Sequence, residues 1–113
     1  MKAIMTENKS LDAGWLIYNY DPKLYKSYFH PIYAHDGQIV TADSPPGEVH
    51  HRGLCISWGN VNGINFWAEE VVGPEIRGRI VHKEFTYLKE QDDFIEFTEK
   101  CDWLAPGDKK LLD

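Results

Sequence analysis

Residues 79–103 constrain the fold more than any other part of the chain. Two segments rich in apolar residues, 79–89 and 94–103, are separated by the short polar sequence Gln91-Asp92-Asp93. In the second segment apolar and polar residues alternate, with Ile95, Phe97, Cys101 and Trp103 on one face and Glu96, Thr98, Lys100 and Asp102 on the other. A repeat of two is typical of an antiparallel strand that buries one face. These segments therefore predict a long β-hairpin.

The remainder of the chain consists of short segments rich in aromatic and β-branched residues, at 14–20, 28–33, 38–42, 53–58 and 64–68. Turn-forming sequences separate them: Asp21-Pro22, Asp36-Gly37, Asp43-Ser44-Pro45-Pro46-Gly47, residues 59–63 and Gly73-Pro74. Pro31 makes segment 28–33 an edge or irregular strand, and segment 53–58 is predicted to be buried. Because a helical repeat with caps is missing, the predicted fold class is all-β, an antiparallel β-sandwich.

The length of 113 residues fits one domain. The polar start predicts a flexible N-terminus over residues 1–12, followed by a single β-sandwich domain over residues 13–113. A turn at 105–108 precedes Leu111-Leu112, which predicts the beginning of a further strand and a domain truncated at its C-terminal end. The open edge of such a sheet would allow a homo-oligomer.

Charge and hydropathy exclude several classes of protein. The chain has 18 acidic and 12 basic residues and a net charge of −6, which argues against binding a nucleic-acid backbone. The sequence has neither the run of about 20 apolar residues of a membrane helix nor the apolar segment of a secretory signal. We therefore predict no membrane partner and a cytoplasmic location, where Cys55 and Cys101 stay reduced.

The densest polar sequence is Glu48-Val49-His50-His51-Arg52-Gly53. Histidine exchanges protons near neutral pH, so His50 and His51 are candidate catalytic residues. Neighbouring side chains of a strand point to opposite faces, so at most one of the two would face a given pocket. Arg52 suits a carboxylate or a sugar oxygen, and Gly53 permits a close approach of the backbone. The alternative interpretation is an exposed polar loop.

Aromatic residues make up 13% of the chain and suit either a core or a sugar-binding surface. The further candidates for substrate contacts are Trp58, Asn62, Trp67 and Glu69. His82 is a third candidate catalytic histidine, although a lone histidine in a strand is more often structural.

A metal site would combine His50 or His51 with His82 and Glu69, which are ligand types suited to zinc, copper or iron. However, no His-x-His or His-x-x-x-His spacing fixes such a site, so none is predicted. The sequence also lacks a phosphate-binding glycine loop, a nucleophile elbow and a dinucleotide fingerprint, so no cofactor is predicted.

Several motifs follow one another in an order that resembles a known family: Tyr28-Phe29-His30-Pro31-Ile32-Tyr33, Asp36-Gly37, Asp43-Ser44-Pro45-Pro46, His50-His51-Arg52-Gly53-Leu54, Trp58-Gly59-Asn60-Val61-Asn62-Gly63, Phe66-Trp67 and Gly78-Arg79-Ile80-Val81-His82. Over residues 15–113 the chain resembles the bacterial family of unknown function labelled "methane oxygenase PmoA". That family is similar to galactose-mutarotase-like proteins, which are large antiparallel supersandwiches. The resemblance implies the N-terminal part of such a supersandwich.

The resemblance also implies a function related to carbohydrates. A small sugar ligand would bind in a cleft beside His50 or His51, which would act as acid or base, with Arg52 on a hydroxyl or carboxylate and His82 as a second polar wall. One hypothesis is a sugar epimerase or mutarotase, or a lyase-type proton transfer. Another is a non-catalytic sugar-binding or interaction module, and a third is the metal-dependent oxidoreductase that the family label suggests.

Overall fold

The computed structural model describes residues 4–70 and 76–113, and its regular elements there are β-strands. Their bounds are β1 Ile4–Met5, β2 Ser10–Asp12, β3 Leu16–Asn19, β4 Tyr28–Ile32, β5 Leu54–Cys55, β6 Ile64–Asn65, β7 Ile76–Arg77, β8 Arg79–Glu90, β9 Ile95–Ala105 and β10 Lys109–Leu112. Within those residues, no helix is long and apolar enough to cross a membrane. The all-β prediction is confirmed.

The first sheet has five antiparallel strands in the order β1-β2-β3-β4-β5. Tyr18 in β3 lies opposite Leu11 on one side and Phe29 on the other. Residues 4–12, where the sequence predicted no strand, supply β1 and β2 of this sheet. Leu11 explains this difference, because it is 1% exposed and packs in the core although its sequence neighbours are polar.

The second sheet contains the predicted hairpin of β8 and β9, with Ile80 opposite Trp103 and Leu88 opposite Phe97. The strand expected after the turn at 105–108 is β10, which pairs with β9 and completes the order β10-β9-β8. The short strands β6 and β7 form a separate parallel pair.

Aromatic side chains join the two large sheets face to face. The ring centroid of Tyr18, in the first sheet, lies 4.5 Å from that of Phe29 and 5.0 Å from that of Phe97 in the second. Tyr20, just after β3, meets Phe85 of β8 edge-on at 4.8 Å. The inner faces of two antiparallel sheets thus share one core, which is the arrangement of a β-sandwich.

Segment 53–58 differs from its prediction as a buried strand. Only Leu54–Cys55 pairs, and Leu54, Ile56 and Trp58 are 59%, 74% and 63% exposed. The physical reason is position, because β5 ends the first sheet and so leaves one side of the segment uncovered.

Segment 28–33 forms β4 over Tyr28–Ile32, which is paired on both sides and so is not an edge strand. The alternative expectation of an irregular strand is confirmed, because the register against β3 shifts between the Leu16–Ile32 and Tyr18–Phe29 pairs, where Pro31 lies. Strand β5 pairs only with Tyr28 and Phe29, so Pro31 lies beyond the last pair on that side. Segment 38–42 makes an isolated bridge from Ile39 to Tyr33 in place of a strand. The predicted break at Gly73-Pro74 lies outside the described residues.

Candidate functional site

The loop that carries the two adjacent histidines is folded back on itself. The Ser44 amide donates to the His51 carbonyl at 2.8 Å, and the His51 amide donates to the Glu48 carbonyl at 2.9 Å. Gly53 has a φ of +46°, and a Cβ there would lie 2.0 Å from the carbonyl oxygen of Phe29. The predicted close approach at Gly53 is therefore confirmed, and the neighbour is the backbone of β4.

Because this backbone is not a strand, the two histidine side chains do not point to opposite faces. The ring centroids of His50 and His51 lie 4.3 Å apart, nearly edge to face. His50 is buried at 6% exposure, while the His51 side chain is 52% exposed. The loop therefore buries His50 and leaves His51 above it at the surface.

Arg52 is held by protein carboxylates. Its Nε and Nη2 donate to Glu69 at 3.2 and 2.9 Å, and its Nη1 donates to Asp43 at 3.0 Å. Lys26 Nζ lies 3.5 Å from Glu69, whose side chain is 6% exposed. Hydrogen bonds from Arg52 to Glu69 raise the pKa of Arg52, despite its burial. The predicted substrate-binding pair of Arg52 and Glu69 is thus part of an internal ion cluster.

The neighbouring tyrosine joins the same cluster. The Tyr28 hydroxyl donates to Asp43 at 3.0 Å, and the Arg52 guanidinium lies 5.9 Å from the centre of the Tyr28 ring. Burial, together with the Asp43 carboxylate, raises the pKa of Tyr28 to about 12. The phenol therefore stays protonated at neutral pH and acts as a hydrogen-bond donor.

Trp67 completes a surface with the two histidines. Its indole is 45% exposed and meets the His50 ring at 4.3 Å, with the His51 ring at 6.3 Å. The Asn65 carboxamide accepts hydrogen bonds from the amides of Trp67 and Ala68, which fixes the turn that presents the indole. We call Glu48, His50, His51 and Trp67 the Trp67 surface.

Two other predicted contact residues lie in loops next to this region. Trp58 is 63% exposed, and its carbonyl accepts the Phe66 amide at 2.8 Å, one residue before Trp67. Asn62 has a φ of +52° and lies in a turn. The Asn60 side chain stabilises this turn by accepting a hydrogen bond from the Gly63 amide. The geometry gives Asn62 a role in the turn.

His82 is placed elsewhere, between the two sheets. Its Nδ1 lies 2.7 Å from Glu99 Oε2, and its ring packs against Tyr20 at 4.7 Å and Phe85 at 4.8 Å. The two side chains of this pair are 11% and 10% exposed. His82 therefore does not share a site with the other two candidate histidines.

Glu99 was missed by the sequence reasoning. It accepts hydrogen bonds from the hydroxyls of Tyr18 and Ser27 in addition to its contact with His82. The available signal was its position, because residue 99 lies on the inward face of β9 with Phe97 and Cys101. A charged residue at a core-facing position of an alternating strand is a reason to expect buried partners.

Glu99 also lines a cavity between the sheets, which has a volume of about 750 Å³. Tyr18, Phe29, Cys101 and Trp103 form other parts of its wall. Burial, with the charge of Glu99, raises the pKa of Cys101 to about 12. Since the thiolate is the nucleophile, Cys101 is chemically inert at neutral pH.

These features define an all-β sandwich protein with an exposed aromatic and histidine surface and a separate, largely buried histidine–glutamate pair between the sheets. A model for a family of unknown function (DUF6807) matches residues 12–113, so the chain belongs to that family. Comparison with curated proteins and with solved structures finds no match. The predicted membership in a family of unknown function is confirmed. Because the function of that family is unknown, membership does not indicate an activity.

Proposed function

We propose that this protein binds a carbohydrate at the Trp67 surface. The observation that carries the proposal is the half-exposed Trp67 indole, packed edge-on against buried His50 and lying beside exposed His51. Ligand sites combine apolar and aromatic walls with a few placed polar groups. The C–H face of a sugar ring would stack on the indole, and the sugar hydroxyls would point towards His51 and Glu48.

A buried lysine supports the rigidity that such a site needs. Lys26 is 3% exposed, and its ammonium donates to the carbonyls of His50 at 3.1 Å and Trp67 at 2.9 Å. It therefore links the two loops that form the surface. A surface ordered before binding loses less entropy when the ligand arrives, so Lys26 acts as a positioning residue.

The internal ion cluster gives Arg52 and Glu69 the same supporting role. Three nitrogens of Arg52 already donate to Glu69 and Asp43. We therefore assign ligand contact to Trp67, His51 and Glu48, with exposed Trp58 as a peripheral contact.

The direct test is a titration of the full chain with a panel of neutral and acidic monosaccharides and oligosaccharides, followed by NMR chemical shifts. We expect shifts at Trp67 and His51 and a loss of binding in Trp67→Ala. Trp15→Ala is the matched control, because Trp15 is also half-exposed but lies in the loop before β3. Equal binding by the Trp67→Ala variant, or no binding to any sugar in the panel, would contradict the proposal.

A second candidate function is proton transfer at a sugar carbon, as in an epimerase, mutarotase or lyase. The observation that favours it is the His82–Glu99 pair, whose carboxylate lines the 750 Å³ cavity. Such chemistry needs a positioned acid and base. It predicts exchange of a sugar C–H with D2O, or faster anomeric interconversion, and loss of either in Glu99→Gln. Binding without exchange would leave the binding module as the function.

A further inference from the structure

We propose that Glu48, His50 and His51 bind a divalent transition-metal ion of the zinc type. Glu48 Oε2 lies 3.6 Å from Nε2 of His50 and 3.6 Å from Nε2 of His51. One ligand atom from each of the three residues lies within 4.8 Å of the others. In a tetrahedral zinc site with bonds of about 2.0–2.1 Å, ligand atoms are about 3.3 Å apart. Small rotations of two exposed side chains would close the difference.

The buried imidazole supplies an independent observation. His50 is 6% exposed, and its Nε2 is buried without a hydrogen-bond partner among the described residues. Buried polar atoms of side chains nearly always have a partner. The nearby carboxylate of Glu48, at 3.6 Å, lies beyond hydrogen-bond distance. A metal ion between these two atoms would give the buried Nε2 its missing partner.

The other nitrogen of His50 sets the tautomer that a metal requires. Its Nδ1 lies 2.9 Å from Glu70 Oε1, and a carboxylate can only accept, so Nδ1 carries the proton. In the neutral ring, Nε2 then presents a lone pair towards Glu48. A carboxylate that orients a ligating imidazole in this way is the usual second shell of protein zinc sites.

The surroundings match a metal centre with an open position. Trp67 packs edge-on against the His50 ring at 4.3 Å and provides an apolar wall, while Lys26 holds the His50 carbonyl at 3.1 Å. Glu48 and His51 are 55% and 52% exposed, so a fourth ligand can reach the ion from solvent. Catalytic zinc sites typically have three protein ligands and a fourth position that is open to water or substrate.

This set differs from the one considered from the sequence. His82 is paired with Glu99, and Glu69 with Arg52 and Lys26, so neither joins His50 and His51. Glu48 takes their place because the loop turns back between residues 48 and 51. The metal site goes beyond the proposed sugar binding and is tested without a sugar.

The test uses the untagged full chain, stripped with a chelator, exchanged into buffer and titrated with zinc chloride by calorimetry. Substitution with cobalt chloride then reports the ligands through its visible absorption. We expect one equivalent of zinc bound, with affinity at least tenfold lower in Glu48→Gln and in His51→Ala. These exposed positions allow both variants to fold. His35→Ala, which removes another exposed histidine, should bind as the wild type does.

Glu70→Gln tests the second shell, because loss of such a partner typically weakens a metal site by about 10–100-fold. Undetectable zinc binding by the wild-type chain would overturn the proposal. So would binding that is unchanged in both Glu48→Gln and His51→Ala, since the ion would then lie elsewhere.

Discussion

Replacement of Glu99 by glutamine tests whether the polar cluster between the sheets stabilises the fold. The carboxylate accepts from the Tyr18 hydroxyl, from Ser27 Oγ at 3.0 Å and from His82 Nδ1 at 2.7 Å. Glutamine keeps the shape of the side chain but removes its charge and turns one acceptor into a donor. At least one of the three donors must then rearrange or lose its partner.

The size of the effect follows from these contacts. A hydrogen bond to a charged group contributes about 1.5–3 kcal/mol, against about 0.5–1.5 kcal/mol for a neutral one. Three weakened bonds would cost about 3 kcal/mol. Part of this cost is offset because the side chain, 10% exposed, no longer carries a desolvated charge. We therefore expect a net loss of about 2 kcal/mol in the free energy of unfolding, or about 10 °C in Tm.

The assay is urea unfolding followed by tryptophan fluorescence, with the slope of the transition compared between variants. Glu96→Gln is the matched control, because Glu96 lies on the exposed face of the same strand and should change stability by less than about 0.5 kcal/mol. If Glu99→Gln were no more destabilising than Glu96→Gln at an equal slope, the polar cluster around Glu99 would not stabilise the fold.

Three further predictions concern backbone packing and buried titratable groups. Gly53→Ala should unfold at clearly lower urea concentration than wild type, because its Cβ would overlap a β4 carbonyl, whereas Gly59→Ala, with open space around it, should not. Iodoacetamide should label Cys101 far more slowly than Cys55 at pH 8, since its pKa is raised to about 12; equal rates in a mass-spectrometric time course would contradict this. Finally, folded Tyr28 has a pKa of about 12 against 10.0 as the ordinary value, so the unfolded chain loses this proton first. The protonated Tyr28 hydroxyl therefore stabilises the fold fully below pH 10, and this contribution is lost between pH 10 and 12. The free energy of unfolding should consequently fall less steeply between pH 10 and 12 in Tyr28→Phe than in the wild type.

The local sequence pattern was enough to predict the elements that are formed by residues close together in the chain. The hairpin of β8 and β9 follows from alternation and a short polar connection, and both properties lie within residues 79–105. The turn at Asp36-Gly37 likewise forms, with Gly37 at a φ of +88° and the Ala34 amide donating to the Gln38 carbonyl at 2.7 Å. Alternation also marked the face of β9 that packs against the first sheet, where Phe97 contacts Tyr18, although Glu99 on that face was not identified.

The sequence identified the residue types of the candidate site but not their grouping. It indicated His50, His51, Arg52 and Trp67 as polar and aromatic candidates, and strand geometry then separated the two histidines. The folded-back loop reversed that expectation by bringing the two rings to 4.3 Å. A loop of this kind depends on specific hydrogen bonds and on Gly53, which a periodic pattern does not record.

Only the tertiary structure decided the partners of the buried charges. Tyr18 and Glu99 are 81 positions apart, Lys26 and Trp67 are 41 apart, and Arg52 and Glu69 are 17 apart. Periodicity reports which face of a strand is apolar, because that depends on near neighbours alone. The partner of a buried charge depends instead on how the sheets and loops pack, since a desolvated group is stable only where distant segments bring it a donor or an opposite charge.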